Sequence, residues 1–243
     1  MPMPKPFNFT ALFTALILGT CIAPTAFAAD PVTDAMQEAY APYRVALFKT
    51  NSNSQTEAQQ AIAQAQQMWA RLGTQFLPKP PAPYDRDPAF ATALADVSKV
   101  YVKAANEAAA NKLTQAHETL ERARDLMADL RHRNQVKVYS DEMNAYHAQM
   151  ERVLIDGDKI LAGPNGMQRM VAEVGTLKYL ADKLTTEAPV IYARNEEFVG
   201  SLKAVDTSVA DLQAATFAQN AVAIKQAIAK IKGPYSKLFL KFG

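Results

Sequence analysis

Cysteine is almost missing from this chain. The only one among 243 residues is Cys21, and it lies in a segment that reads as a leader. Downstream of it a disulfide framework, a thiolate metal site and a covalent haem of the Cys-x-x-Cys-His type are therefore excluded. Excess charge is missing too. Lys and Arg number 26 against 24 Asp and Glu, so no net field steers the chain toward nucleic acid or anionic lipid. The nine glycines form no phosphate-cradling loop, and no His-Glu-x-x-His pair occurs. Sustained period-two alternation is absent, and no segment after the leader is apolar enough to cross a bilayer.

What is present begins with residues 1–28, which have the build of a signal peptide. Lys5 supplies a positive start, Phe9 to Ile22 an apolar run, and Ala26-Phe27-Ala28 a small-residue cleavage site. The run is shorter than the roughly 20 residues that a stable span requires. Leu18-Gly19-Thr20-Cys21 outlines a lipoprotein signal, but Thr20 suits that motif poorly, so cleavage after Ala28 is favoured over lipid attachment at Cys21. The expected location is periplasmic or secreted.

The rest predicts an all-α fold of about eight antiparallel amphipathic helices. A first stripe runs through Met36, Tyr40, Tyr43 and Leu47. Ser54 to Glu57 has capping-box form before a second, Ala58, Ile62, Ala65, Trp69, Leu72, Phe76. The prolines of 78–83 end it, and Asp87-Pro88 starts a third helix with Phe90, Leu94, Val97 and Tyr101. Leu113, Ala116, Leu120, Ala123, Met127 and Leu130 mark the fourth. Ser140 is a plausible N-cap for a fifth helix running to about Asp156. Met167 to Leu184 and Phe198 to Leu212 mark the sixth and seventh. Phe217 to Ile231 marks the eighth, whose phase continues across Gly233-Pro234 to Tyr235, Leu238 and Phe242 as a kinked, packed tail. The natural division is an N-terminal half, 29–133, and a C-terminal half, 134–243, forming two four-helix units or one extended bundle.

Chemistry concentrates between Lys112 and Gly157, which holds all three histidines, His117, His132 and His147. Folded as an antiparallel hairpin, this stretch sets His132 beside Asp141, Asp125 near His147 and His117 near Asp156. His132 and Asp125 then fall opposite the buried seam and His117 on its flank, so all three read as solvated surface. His147 falls on the apolar face with Met143 and Met150, and Met127 lies level with it on the fourth helix. One imidazole and three thioethers suit Cu(I), and a histidine with a methionine suits haem iron clasped between helices. The plainer alternative is core packing, with methionine filling gaps and His147 bonded to Asp125, Glu121 or a carbonyl. Asp156-Gly157-Asp158 lacks the further oxygens of a calcium loop.

An exported bundle that ends in a regular amphipathic helix and holds isolated Met and His inside resembles the periplasmic cytochrome c′ and cytochrome b562 proteins. The resemblance implies a bundle architecture and, as an alternative function, a haem b or copper carrier using His147 with Met143, Met150 or Met127. The c′ type attaches haem through Cys-x-x-Cys-His near its C-terminus, where this chain has Gly233 to Lys237 and no cysteine. In the b562 type the ligands lie in the first and last helices; Met36 could serve in the first, but no histidine follows His147. No nucleophile–base motif stands out either. The leading expectation is a non-enzymatic binding or accessory module, whose partner is another periplasmic protein or a second copy of itself.

Overall fold

The computed structural model describes residues 30–243, so the leader and Cys21 lie outside the described residues. Among the described residues there are eight α-helices and no strand: α1 (Pro31–Asn51), α2 (Gln55–Phe76), α3 (Phe90–Ala109), α4 (Leu113–Arg133), α5 (Tyr139–Ala162), α6 (Gly166–Thr186), α7 (Glu196–Phe217) and α8 (Ala221–Phe242). None of these helices is long and apolar enough to cross a membrane.

Local chemistry sets their ends. Asp30 caps α1, its Oδ1 accepting the Thr33 N–H at 3.0 Å ahead of Pro31 in the first turn. Asn195 and Asn220 cap α7 and α8 in the same way. Five of the connections turn on one left-handed residue, Asn53, Asn111, Gln135, Asn165 or Gln219, the conformation that ends a helix and reverses the chain. The two remaining connections, α2 to α3 and α6 to α7, carry prolines and a single 3₁₀ turn each, Tyr84–Arg86 and Val190–Tyr192.

Each amphipathic helix has one stripe to cover, and the helices do this in two sets of four. In the first, α1 packs on α2 and α4, and α3 packs on α2 and α4, around a core from Val32 to Leu130. In the second, α5 packs on α6 and α8, and α7 packs on α6 and α8, around a core from Met143 to Phe242. The sets meet where α8 lies on α1. Phe239 touches both cores there and meets the Tyr40 ring edge-on at 6.2 Å. Although consecutive, α4 and α5 do not pack as a hairpin, because the seam of α4 is already used against α1 and α3.

Several boundaries differ from the sequence reading. Ser54 is the N-cap of α2, but Glu57 does not turn back to it; its Oε1 accepts from Lys49 at 2.6 Å and ties α2 to α1. α3 starts at Phe90, while Asp87 accepts the Ala89 N–H at 2.9 Å and pairs with Arg133. Ser140 sits inside α5, whose start is held instead by Asp141 accepting the Val138 N–H at 3.0 Å. α5 continues through Gly157 because that residue lets α8 come close: a Cβ there would lie 2.9 Å from Ile228 Cδ1. Asp158 is then helix surface, paired with Lys225. Phe217 closes α7 and is 65% exposed rather than opening the eighth stripe. α8 is one helix through Pro234, and its last turns are buried by Tyr235, Leu238 and Phe242.

Trp69 anchors the first core. It is buried, donates from Nε1 to the Leu94 carbonyl at 2.9 Å and lies edge-on to Tyr101. Trp69→Ala should therefore lower the unfolding free energy by about 3–5 kcal/mol, read from urea unfolding followed by far-ultraviolet circular dichroism.

Candidate functional site at the junction of the two bundles

Steps of three, four and seven residues place His117, Glu121, Arg124 and Arg131 along one flank of α4. Asp141, Asn144, His147 and Glu151 follow the same rule on α5. These two flanks face each other across the junction, where long side chains bridge what the backbones do not. Lys232, Tyr235 and Phe239 of α8 and Leu47, Phe48 and Asn51 of α1 complete a small cleft of about 50 Å³.

Arg124 defines the chemistry of His147. Its Nη1 lies 2.7 Å from His147 Nδ1. A guanidinium has donors only, so Nδ1 is the bare acceptor and the ring proton sits on Nε2, which lies 3.5 Å from Glu151 Oε1. The imidazole also stacks on Tyr235, with centroids 5.5 Å apart and planes 11° from parallel. Tyr235 is held in turn by its hydroxyl, which donates to the Met143 carbonyl at 3.0 Å. His147 is thus gripped from α4, α5 and α8 together, by groups other than the Asp125 and Glu121 expected from the sequence.

His117 has the opposite tautomer. Its Nδ1 is 3.1 Å from the Leu47 carbonyl, which can only accept, so Nδ1 carries the proton. Nε2 is left 3.9 Å from Glu121 Oε1. The side chain is only 25% exposed, which corrects its reading as surface: the last turn of α1 covers that flank of α4. Burial pushes its pKa below the usual imidazole value, against the upward pull of Glu121. His132 and Asp125 are exposed, as their position opposite the seam implied. His132 Nε2 lies 3.7 Å from Asp141, whereas Asp125 stands beside Arg124 rather than His147.

A second link lies nearer the α4–α5 turn. Arg131, 1% exposed, pairs with Asp141, 7% exposed. Further polar atoms on this face, Arg131 Nε, Ser140 Oγ and Asn144 Nδ2, are buried without a protein partner. The Tyr40 hydroxyl also bridges to this face, donating to Asn144 Oδ1 at 3.2 Å. The junction is therefore polar and incompletely satisfied, between two largely apolar cores.

The ligand set expected for copper or haem is not assembled. Met127 belongs to the first core and Met143 and Met150 to the second, and of the three only Met150 reaches the cleft with His147. The cause is the packing of α4 inside its own bundle. A metal ion at His147 Nδ1 would replace a guanidinium already within hydrogen-bond distance. Among the described residues no group of three or more His, Cys, Asp or Glu could hold a metal ion. The enclosed volume is also far below the roughly 300–1,000 Å³ of cofactor-sized pockets. These residues do not fit haem b or copper.

Sequence reasoning missed Arg124, Arg131, Lys232 and Tyr235. The available signal was the seven-residue step between the two arginines, one face of two helical turns, beside the seam rather than opposite it. Outside the junction, the largest departure from an ordinary surface is the turn after Pro189, where Val190 is 88% and Ile191 80% exposed. No protein-family model, curated protein or solved structure matches this chain.

Two outcomes follow from the pairs at this site. Arg131→Ala leaves Asp141 buried without its counter-charge and should cost about 3–5 kcal/mol of stability in urea unfolding. Glu151 is held down to about 2 by the hydrogen bond from His147 and, despite burial, by the nearby Lys232. A carboxylate with a depressed folded-state pKa stabilises the fold above its unfolded value of about 4.3. That contribution fades as pH falls from there toward about 2, so the pH slope of stability in this window should flatten in Glu151→Gln.

Proposed function

We propose that this is an exported, non-enzymatic binding or accessory module that engages another periplasmic protein or a second copy of itself through its helical framework. One observation carries the reading: the paired aliphatic side chains of Val190 and Ile191, offered almost wholly to solvent on a short turn held between α6 and α7. Adjacent apolar side chains left in water at the tip of a rigid scaffold favour a partner surface. The turn is anchored from behind, since Tyr192 packs on Phe198 and Phe242 of the second core.

The junction supports the same reading from the other side. Its imidazole nitrogens are turned toward Arg124, Glu151, Leu47 and Glu121 rather than toward Ser236, the hydroxyl that also lines the cleft. Those groups hold one another, which suits a structural joint better than a nucleophile with its base.

A photo-crosslinking residue placed at Ile191 in cells should give discrete adducts with one protein or with a second copy of this chain, and the same residue at exposed Lys203 should not. Absence of any adduct at Ile191, or a purified turnover that disappears in His147→Ala, would contradict the proposal.

A further inference from the structure

The Arg124–His147 contact has a chemical weakness that its surroundings make specific. Nδ1 of His147 accepts from a guanidinium that cannot stop donating. Taking up a solvent proton at Nδ1 would set an N–H of an imidazolium against an N–H of a guanidinium, two cations with no acceptor between them. We infer that this contact is a proton-released clamp between the two bundles: protonation of His147 expels Arg124 and lets the bundles swing apart on the α4–α5 side of the junction, hinged on the apolar α1–α8 contact.

The surrounding charges define both end states. From α4, Arg124, Glu121 and His117 face the imidazole; on α5 Glu151 lies 3.5 Å from its Nε2. From α8, Lys232 stands 3.3 Å from Glu151, and the Tyr235 ring covers the imidazole face. From α1 the cleft wall is Leu47, Phe48 and Asn51, none of them ionisable. Tyr40 and Tyr43 lie behind Arg124 and are kept neutral, burial raising the pKa of each. With the clamp closed, Arg124 and Lys232 balance Glu121 and Glu151. With it open, Arg124 still has Glu121 at 3.4 Å and Asp125 at 3.5 Å, while the imidazolium keeps Glu151. Each partner has somewhere to go, so both states are satisfied.

The junction is also where the molecule should give. α4 and α5 are joined by side chains and not by packed backbone. Arg131 Nε, Ser140 Oγ and Asn144 Nδ2 are buried there without partners. The Arg131–Asp141 pair, close to the turn at Gln135, makes a natural pivot. Opening then occurs at the end of the junction that holds His117 and His147. Adding the proton opens the clamp and removing it closes it. The inference rests on the junction alone and is independent of the partner-binding role.

The test uses the full chain carrying Cys21→Ser, with spin labels on Gln60→Cys in α2 and Gln168→Cys in α6, both exposed. Distances between the labels are measured by pulsed electron resonance at about pH 7.5 and about pH 5.5. A narrow distribution at the higher pH should become longer and broader at the lower, with helicity unchanged. In His147→Gln, whose side-chain carbonyl accepts from Arg124 at any pH, the short distance should persist at both. Arg124→Gln removes the opposing cation and should also abolish the shift. An unchanged distance in the parent chain, a shift that survives His147→Gln, or loss of helicity together with the shift would each overturn the clamp.

Discussion

A guanidinium donates and never accepts, and at the centre of this protein that fact fixes more than one bond. Because Arg124 occupies Nδ1 of His147, the ring proton is on Nε2, Glu151 is drawn to that side, and Lys232 follows Glu151 from the last helix. One side chain reaching across the junction therefore orders groups on three helices. Where α4 and α5 face each other the two bundles are joined in this way, by ionic and hydrogen-bonded reach, and the apolar contact is left to α1 and α8 through Tyr40 and Phe239.

The cores on either side obey simpler physics. Each helix carries one apolar stripe and four helices suffice to cover each other's stripes. Large and small residues alternate along α4, where Leu120, Ala123 and Met127 are fully buried, and aromatic rings fill the space around Tyr43, Trp69 and Tyr101. Once α4 has closed the first bundle, its seam has nothing left to offer α5. What remains is its flank, and the flank is charged. The polar character of the junction is thus a consequence of how the two cores close.

Most of the fold was legible from spacing alone. Every position of the second-helix stripe, Ala58 through Phe76, and every position of the fourth, Leu113 through Leu130, is buried. Boundaries were harder, and for identifiable reasons. The fifth helix was expected to end at about Asp156, but Gly157 continues it and serves a close helix–helix approach. Phe217 had the right phase for the eighth helix but belongs to the seventh and is exposed. Among the described residues the left-handed turn positions are Asn and Gln and none is Gly, so glycine did not mark them.

The site was legible only in part. His147 lines the junction cleft, and Met143 and Met150, on its expected face, are buried. The error lay in treating consecutive helices as packing partners, which brought Met127 toward His147 on paper. Packing puts Met127 in the other core. Periodicity also cannot reveal how far a long side chain reaches, which is why Arg124 and Lys232 went unnoticed while the histidines drew attention.

Nitrogen-15 NMR of the His147 imidazole reads the central contact without perturbing it. At neutral pH the Arg124 bond requires an unprotonated Nδ1 and a protonated Nε2, and the Nδ1 signal should change in Arg124→Gln. A proton on Nδ1 at neutral pH, or an Nδ1 signal indifferent to Arg124, would contradict it.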